Sequence, residues 1–395
     1  MVKAIKVMLI PNNVQQTKLF QYAGASRFAY NWALAREKEN YEKGGKFISD
    51  SELRKEFTKL RHSDEYAWLL NISNNVTKQA IKDACTAYKN FFKGLQKFPR
   101  FKSKKRSMPK FYQDNVKIQF SNTHVKFEGF SSSRKANKQK MNWVRLAEHG
   151  RIPTDVKYMN PRISFDGLNW WISVCVEFPD CKETLNDDGV GIDLGIKDLA
   201  VCSDAVKYKN INKSQKVKKL EKQKRRLQRS ISRSYEKNKK GESYCKTNNV
   251  IKKEKLLLKR NHRLTNIRKN YLNQTISEIV NRKPRFICIE DLNVSGMMKN
   301  RHLSKAVQEQ GFFWFRKQLE YKCSDKGIQL IVADRFYPSS KLCSCCGNIK
   351  KDLKLSDREY RCECGNIIDR DFQASVNLKG CLLYTSPSPR DYAAS

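Results

Sequence analysis

Four cysteines near the carboxyl terminus have the spacing of a metal site. Cys343 and Cys346 form one pair, Cys362 and Cys364 form a second, and a glycine follows each pair directly. Thiolates held on two tight turns at these separations provide a tetrahedral ligand set for structural zinc. Cys345 is a spare thiol beside the first pair, so the spacing predicts the site more firmly than the exact four ligands.

The other cysteines show no such pairing. In a reducing compartment isolated thiols are usually buried and unbonded, and we expect this of six of them. They are Cys85, Cys175, Cys202, Cys245, Cys288 and Cys323.

Three groups of acidic residues interrupt or follow apolar runs, where an uncompensated charge is costly. Carboxylates brought together from separate elements repel each other unless divalent cations bridge them, which is the requirement of two-metal phosphodiester chemistry. Each acid taken alone is better explained as a helix N-cap or a surface ion pair. The groups are Asp193 in the run 190–194, Glu290 and Asp291 in the run 286–292, and Asp369 and Asp371 before a helix start at 372–378.

The charge balance points to a polyanionic partner. The 395 residues are enough for two or three domains and carry a net charge of +39, with 39% hydrophobic residues to build cores. Nucleic acid is therefore the first partner to consider, ahead of acidic proteins or membranes. No run of about 18 apolar residues and no secretory signal is present, so we expect a soluble cytoplasmic protein.

Half of the excess charge lies in residues 207–270, which contain 24 lysines and arginines against four acids. Apolar residues recur there at near-helical spacing, which predicts two long basic helices broken around 238–249. A solvated helical face is the alternative, but the charge density favours the wall of a nucleic-acid channel. The candidate contacts are Lys222, Lys224, Arg225, Arg226 and Arg229.

The elements that must position these residues alternate between strand and helix patterns. Residues 2–10 alternate like a half-buried strand, and 12–97 have the periodicity of a helical bundle. Residues 98–110 mix aromatic rings, cations and two prolines, which suits stacking and phosphate contact, with Arg100 and Lys102 as candidates. From 116 to 178 the pattern is β-rich, with a hairpin across Asp166-Gly167, and we expect strand 2–10 to pair with this body.

Four motifs together resemble the TnpB proteins of bacterial insertion sequences, which are relatives of the compact type V CRISPR nucleases. They are VGIDLGIKDLA around Asp193, FICIEDLNV around Glu290, YPSSKLCSCCG with YRCECG, and IDRDFQASVNL around Asp371. The resemblance covers nearly the whole chain. It departs from the family pattern at Gln373 and Ser375, after the third acid.

The resemblance implies an α/β fold with a RuvC-like (RNase H fold) nuclease domain at 181–380 and a zinc ribbon inserted at about 338–368. It further implies a β-barrel wedge domain formed by 1–10 and 98–180, carrying an inserted helical recognition lobe at 11–97. Asp193, Glu290 and Asp371 would be the catalytic triad that binds two Mg²⁺ ions, with Asp371 chosen over Asp369 because it directly precedes the family's x-Asn-Ala-Ala stretch. Cys343, Cys346, Cys362 and Cys364 would hold structural Zn²⁺.

The implied activity is RNA-guided cleavage of DNA. The expected partners are a guide RNA from the element's end, double-stranded target DNA with a short adjacent motif, and a separate transposase of the same element. Two alternatives remain: a nuclease-inactive regulator that binds nucleic acid, and a transposase that joins DNA ends. The presence of all three acids argues against the first, and the sequence has no feature that favours the second.

Residues 381–395 do not fit the rest of the chain. The stretch CLLYTSPSPRD resembles the translation of a sequencing adapter, and we interpret 381–395 in that way. A natural tail rich in proline and serine is the alternative.

Overall fold

A computed structural model describes residues 1–130, 141–179, 183–241, 243–354 and 357–381. The chain divides into two compact units, Met1–Pro179 and Asp180–Ser395. The adapter-like tail beyond residue 381 lies outside the described residues. Among the helices of the described ranges, none has the length and apolar character needed to cross a membrane.

The first unit contains a seven-stranded sheet. Strand β1 pairs antiparallel with β7 along nearly its whole length, from Val2 opposite Glu177 to Leu9 opposite Trp170. The predicted pairing of the amino-terminal strand with the β-rich body is therefore confirmed. The sheet order is β2-β6-β7-β1-β5-β4-β3. The strands are β1 Val2–Ile10, β2 Lys110–Tyr112, β3 Gln119–Phe120, β4 His124–Lys126, β5 Trp143–Leu146, β6 Tyr158–Phe165 and β7 Trp170–Glu177.

The predicted helical bundle lies between β1 and β2 in the chain. It consists of α1 (Asn13–Glu42), α2 (Asp50–Leu60), a 3₁₀ helix (Asp64–Asn71) and α3 (Asn74–Phe92). Helix α1 begins at a capping box, in which the Asn12 side chain accepts the backbone N–H of Gln15. After residue 92 the chain forms no further helix before β2, as the prolines predict.

The predicted hairpin is formed by β6 and β7. The Asp166 carboxylate holds its turn by accepting the backbone N–H groups of Leu168 and Asn169 and the indole N–H of Trp171. Strand β6 starts earlier than the pattern indicated, because a register shift between Met159 and Arg162 accommodates Pro161 within the strand.

The second unit is built on a five-stranded sheet of order β10-β9-β8-β13-β14. Strands β8, β13 and β14 run parallel, and β9 is antiparallel to β8. The strands are β8 Gly189–Leu194, β9 Asp198–Cys202, β10 Lys207–Lys209, β13 Phe286–Glu290 and β14 Gln329–Ala333. Helices after β13 are α6 Val294–Met297, α7 Ser304–Gln310, α8 Phe312–Lys326 and α9 Arg370–Gly380.

The basic segment 207–270 contains the two predicted helices, α4 (Gln215–Lys237) and α5 (Asn248–Asn281). Its first residues differ from the prediction, because 207–209 form strand β10, whose Tyr208 is buried against the sheet. The break between the helices is a short hairpin of β11 (Lys239–Lys240) and β12 (Ser243–Tyr244) rather than an irregular loop.

Helix α9 packs closely against β8. At Gly191 an added Cβ would lie 2.0 Å from the Ser375 carbonyl oxygen and 2.4 Å from the Lys379 nitrogen. Only glycine at this position lets the helix backbone approach the strand so closely.

Gly191→Ala is therefore expected to lower the stability of the second unit. The added methyl would force α9 away from β8, and overpacking of this kind costs about 1–3 kcal/mol. Calorimetric thermal unfolding measures the effect. Gly24→Ala is the control, since Gly24 lies within α1 with no atom within 4 Å of an added Cβ. That change should stabilise α1 by up to about 1 kcal/mol. An unaltered transition in Gly191→Ala would contradict the close approach.

Candidate active site and metal centre

The sheet of the second unit brings two of the predicted acids together. Strands β8 and β13 are parallel, with Ile192 directly opposite Ile289. The next residue along each strand is therefore Asp193 and Glu290. Residues opposite each other on neighbouring strands lie about 4.8 Å apart and point to the same face. This register makes Asp193 and Glu290 neighbours near the carboxyl ends of the strands.

Helix α9 supplies the third acid. The Asp369 side chain caps the helix by accepting the backbone N–H of Phe372 at 3.0 Å, so Asp371 lies in the first turn. The charges of Glu290 and Asp371 both act on Asp193. The structure thus joins Asp193, Glu290 and Asp371, here called the acid site, from three separate elements.

The acid site combines desolvation with negative charge that the nearby Arg370 offsets only in part. Burial, and then the charges of Glu290 and Asp371, raise the pKa of Asp193 well above its usual value. Burial also raises the pKa of Glu290, although the Ser339 hydroxyl donates a hydrogen bond to its Oε1. Asp371 pairs with Arg370 at 3.1 Å. Clustered, desolvated carboxylates of this kind fit hard divalent cations, which take oxygen ligands.

The neighbouring acids of the predicted groups have other partners. Asp291 forms ion pairs with Arg316 at 2.7 Å and Arg335 at 2.5 Å, and these hold its pKa below the usual range. Successive side chains along a strand point to opposite faces, which agrees with the separate contacts of Glu290 and Asp291. Asp369 caps α9 and pairs with Lys207 at 3.3 Å.

The four predicted cysteine ligands also converge. The sulfurs of Cys343, Cys346, Cys362 and Cys364, here called the cysteine site, all lie within 4.8 Å of one another, a grouping that can hold a metal ion. Cys345 is exposed and is not part of the group. Four thiolates this close repel one another unless a cation binds them. Tetrahedral sulfur coordination is typical of structural Zn²⁺.

Local backbone geometry supports the cysteine site. Gly347 and Gly365 have φ angles of +74° and +88°, which side-chain-bearing residues rarely adopt. Burial opposes ionisation of Cys343, but hydrogen bonds from the backbone at Cys346 and Cys345 and from the Asn366 amide outweigh it. Together they lower the pKa of Cys343 to about 6. The thiolate form, which binds metal, is thereby favoured.

Polar side chains of α9 connect the two sites. Gln373 is fully buried, donates to the Leu342 carbonyl at 2.6 Å and accepts from the Ser344 hydroxyl at 2.8 Å. Asn377 donates to the carbonyls of Ser339 and Leu342, both at 2.7 Å. The turn that carries Cys343 is thus tied to the helix that carries Asp371.

Sequence reasoning missed these connecting residues. It noted Gln373 only as a departure from a family pattern, although a polar residue on the buried face of a short helix is itself a signal of a specific hydrogen bond. Nothing in the sequence marks Ser339 as a partner of Glu290.

The predicted nucleic-acid contacts differ in accessibility. Lys222, Arg225, Arg226 and Arg229 are exposed and recur at helical spacing on one face of α4, here called the basic stripe. Lys224 is half-buried and lies 3.7 Å from Glu221.

The two candidates in segment 98–110 differ in the same way. Arg100 is exposed, whereas the Lys102 ammonium packs over the Tyr30 ring. Burial, together with the charge of Lys110, lowers the pKa of Lys102 to about 8.

Two of the six cysteines predicted to be buried are not. Cys245 is exposed in the loop after β12, and Cys175 is half-buried because strand alternation turns it to the more open face of β7. The remaining four are buried, and none of the six forms a disulfide within the described residues.

Three family profiles match parts of the chain. Residues 173–301 match a profile described as "Probable transposase", and 312–378 match the "Cas12f1-like, TNB domain". Residues 1–46 match a "Helix-turn-helix domain" profile. In the structure most of residues 1–46 form strand β1 and the single long helix α1.

A solved structure shares the fold. The chain superposes on a protein from "Cryo-EM structure of the Cas12f1-sgRNA-target DNA complex" with a TM-score of 0.58 and 13% identity, covering 96% of this chain and 98% of that one. The chain therefore shares the overall fold of that protein.

The amino-acid sequence identifies the family. "Putative RNA-guided DNA endonuclease InsQ" of Escherichia coli (strain K12) is 30% identical over 379 residues, 91% of this chain and 87% of the relative. A "Putative RNA-guided DNA endonuclease" of Streptomyces pristinaespiralis is 29% identical over 95% of this chain and 88% of its own length. The chain therefore belongs to the OrfB/TnpB family of insertion-sequence proteins, as its motifs predicted.

Replacing Cys343 and Cys346 together by serine is expected to abolish zinc binding. With two of four ligands removed, the metal no longer offsets the cost of ordering the turns, so the loop 338–368 should loosen. Elemental analysis of the purified protein measures metal content, and limited proteolysis measures the loop.

Cys345→Ser is the matched control, since it removes a thiol from the same turn that lies outside the cysteine site. It should retain one zinc per chain. Full zinc content in the double variant would show that other thiols bind the metal.

Proposed function

We propose that the protein is an RNA-guided DNA endonuclease that hydrolyses phosphodiester bonds with divalent metal ions. The observation that carries this proposal is the convergence of Asp193, Glu290 and Asp371 in one half-buried site, where Arg370 pairs with Asp371. The printed names of the relatives support the same activity. A nuclease-inactive binder would have no need to place the charges of Glu290 and Asp371 so close to Asp193.

In this proposal Asp193, Glu290 and Asp371 hold two Mg²⁺ ions. Bound Mg²⁺ lowers the pKa of a water molecule to make a nucleophile and stabilises the leaving oxygen. The protein contributes by fixing the carboxylates: the register of β8 and β13 sets the first two, and the Asp369 cap sets the third. Ser339 orients Glu290. Burial, and then the negative charges of Glu290 and Asp371, raise the pKa of Asp193, and a bound cation would offset both effects.

The proposal also divides the chain into domains. We assign 181–380 to a RuvC-like nuclease domain with a zinc ribbon at about 338–368, supported by the parallel core of the five-stranded sheet and by the cysteine site. Residues 1–10 and 98–180 would form a wedge domain, and 11–97 a helical recognition lobe. The pairing of β1 with β7, on either side of the inserted helices, supports this division.

The partners in this proposal are a guide RNA and double-stranded target DNA. Base pairing with the guide supplies sequence specificity, while the protein reads a short motif beside the target. The net charge of +39 and the exposed basic stripe on α4 support contacts to phosphates. A separate transposase of the same element is the further partner that the family membership suggests.

Asp193→Ala is expected to abolish Mg²⁺-dependent cleavage while leaving affinity for nucleic acid nearly unchanged. The carboxylate holds metal and makes no favourable contact with phosphate, so its loss removes chemistry rather than binding. Cleavage of a plasmid by the protein purified with co-expressed RNA, and filter binding of the same RNA, measure the two effects. Glu290→Gln should behave in the same way.

Asp187→Ala is the matched control, because Asp187 is exposed just before β8 and forms no ion pair within the described residues. It should cleave at the wild-type rate. Cleavage retained by Asp193→Ala would refute the acid site as the catalytic centre.

We expect glutamine substitution of the basic stripe to weaken RNA binding and to make that binding less dependent on salt concentration. The substituted residues are Lys222, Arg225, Arg226 and Arg229. Each lost phosphate contact reduces the slope of log affinity against log salt by about 0.7–0.9, so the slope should flatten by about three units. Titrations at several salt concentrations give the slope.

The control replaces four exposed lysines on α2 and α3 of the first unit, Lys55, Lys59, Lys78 and Lys82. Both variants lose the same net charge, so total charge cannot account for a difference between them. Equal slopes in the two variants would reject a specific role for the basic stripe.

A further inference from the structure

An aromatic cavity of about 270 Å³ opens in the helical part of the first unit. It lies between the carboxyl-terminal parts of α1 and α3 and the segments that follow each helix. Its volume is slightly below the range of about 300–1,000 Å³ found for pockets of drug-sized ligands, which suits one planar ring system. The aromatic residues that line it are Tyr41, Phe47, Tyr88, Phe91, Phe92 and Phe98.

The rings at the mouth of this cavity are unusually open for their type. Phe92 is 62% exposed and Phe98 is 51% exposed. Phe98 meets Phe91 and Tyr88 edge to face, with ring centroids 5.2 and 5.6 Å apart and interplanar angles above 80°. The edge contacts of Phe98 leave its ring faces available for a further flat partner, while Phe92 stacks on Tyr88 with one face, at 6.3 Å between centroids and an interplanar angle of 21°.

A buried carboxylate lies in the wall of the cavity. Glu37 is only 6% exposed, and its Oε2 accepts the backbone N–H of Ile48 at 3.3 Å. Its Oε1 is buried and has no hydrogen-bond partner within the described part of the chain. A desolvated carboxylate oxygen without a donor is costly, so a ligand that brings an N–H group would be stabilised here.

The surroundings of the cavity are basic. Lys38 lines it, and the Lys89 ammonium lies 5.6 Å from the centre of the Phe47 ring. The chain that carries Phe98 continues into the basic segment with exposed Arg100. Flat rings, one acceptor and flanking cations together match a nucleotide, whose base stacks while its phosphates meet the lysines.

We propose that this cavity, the base pocket, binds one unpaired nucleobase of a nucleic-acid strand, stacked on Phe92 and Phe98 with Glu37 accepting its amino group. The inference rests on the proposed function only in that the partner is nucleic acid. A second copy of the chain is a poorer occupant, since two molecules of charge +39 repel each other.

Glu37 gives the base pocket a preference. Adenine, cytosine and guanine carry exocyclic amino groups that can donate to Oε1, whereas uracil and thymine carry none. Uracil can donate only its ring N3–H, which lies between two carbonyl oxygens that the Glu37 carboxylate repels. The pocket should therefore favour an amino-bearing base over uracil, in contrast to the salt-sensitive and sequence-tolerant contacts of the basic stripe.

The test measures the affinity of the full-length protein for ten-nucleotide strands of riboadenylate, deoxyadenylate, ribouridylate and an abasic ribose backbone. The double variant Phe92→Ala/Phe98→Ala is expected to bind adenylate about 10- to 100-fold more weakly, as for the loss of stacking of one base. Its affinity for the abasic strand should match wild type. The fold-loss should be the same at low and high salt, because stacking is not ionic. If riboadenylate binds more tightly than deoxyadenylate, the base belongs to an RNA strand, and the opposite order assigns it to DNA.

Phe313→Ala is the matched control, since Phe313 is 63% exposed but lies in the second unit. It should bind all strands like wild type. Glu37→Gln should reduce the preference for adenylate over uridylate, with circular dichroism confirming the fold.

Three outcomes would overturn the base pocket: equal affinity of wild type for adenylate and abasic strands, equal losses in Phe313→Ala, or a wild-type dimer that the double variant dissociates without change in strand affinity. Plasmid cleavage by the wild type and Asp193→Ala is followed in parallel. If the strand-binding results contradict the base pocket while the wild type still cleaves the plasmid, only this inference fails. If the strand-binding results support the base pocket but the wild type does not cleave, only the proposed nuclease activity fails.

Discussion

The second unit brings three half-buried carboxylates into one acid site, and this concentration of negative charge is the constraint on which the site depends. Asp193 and Glu290 are neighbours because β8 and β13 are parallel and in register, and Asp371 joins them because α9 lies directly on β8. That close approach is possible only where Gly191 has no side chain. A fold that concentrates negative charge in this way is less stable without a cation than with one, which is the usual exchange of stability for function at metal sites.

The cysteine site is connected to the acid site by hydrogen bonds from side chains of α9. Gln373 and Asn377 bind the carbonyl of Leu342, next to Cys343, and Asn377 also binds the carbonyl of Ser339, whose hydroxyl holds Glu290. A metal that orders the cysteine turns therefore also orders a hydrogen-bond partner of an acid. Such outer contacts fix the geometry of the residues that they support. The acid site and the cysteine site would then be energetically coupled although they share no residue.

The sequence was informative where chemistry imposes short-range rules. Cysteine spacing, the acid within an apolar strand and the Asp166-Gly167 turn each depend on residues close in the chain, and all three were predicted correctly in position. The hydroxyl of Ser339 and the amide of Gln373 could not be placed, because their partners lie 49 and 31 residues away. Strand β10 was not predicted, because Tyr208 is its one buried residue and lies between two lysines in a basic segment.

Composition alone also cannot say which cations meet phosphate. Lys224 and Arg268 both interact with Glu221, and Lys102 is packed over Tyr30 with its pKa lowered to about 8. These cations are already engaged within the protein, and moving them to a phosphate would leave a buried acid or ring without its partner. The exposed face of α4 has no such commitment among its described contacts. The positive charge that is available to bind phosphate is therefore smaller than the net charge of +39. The pattern of apolar residues decides which face of each helix is buried, and so which cations remain exposed.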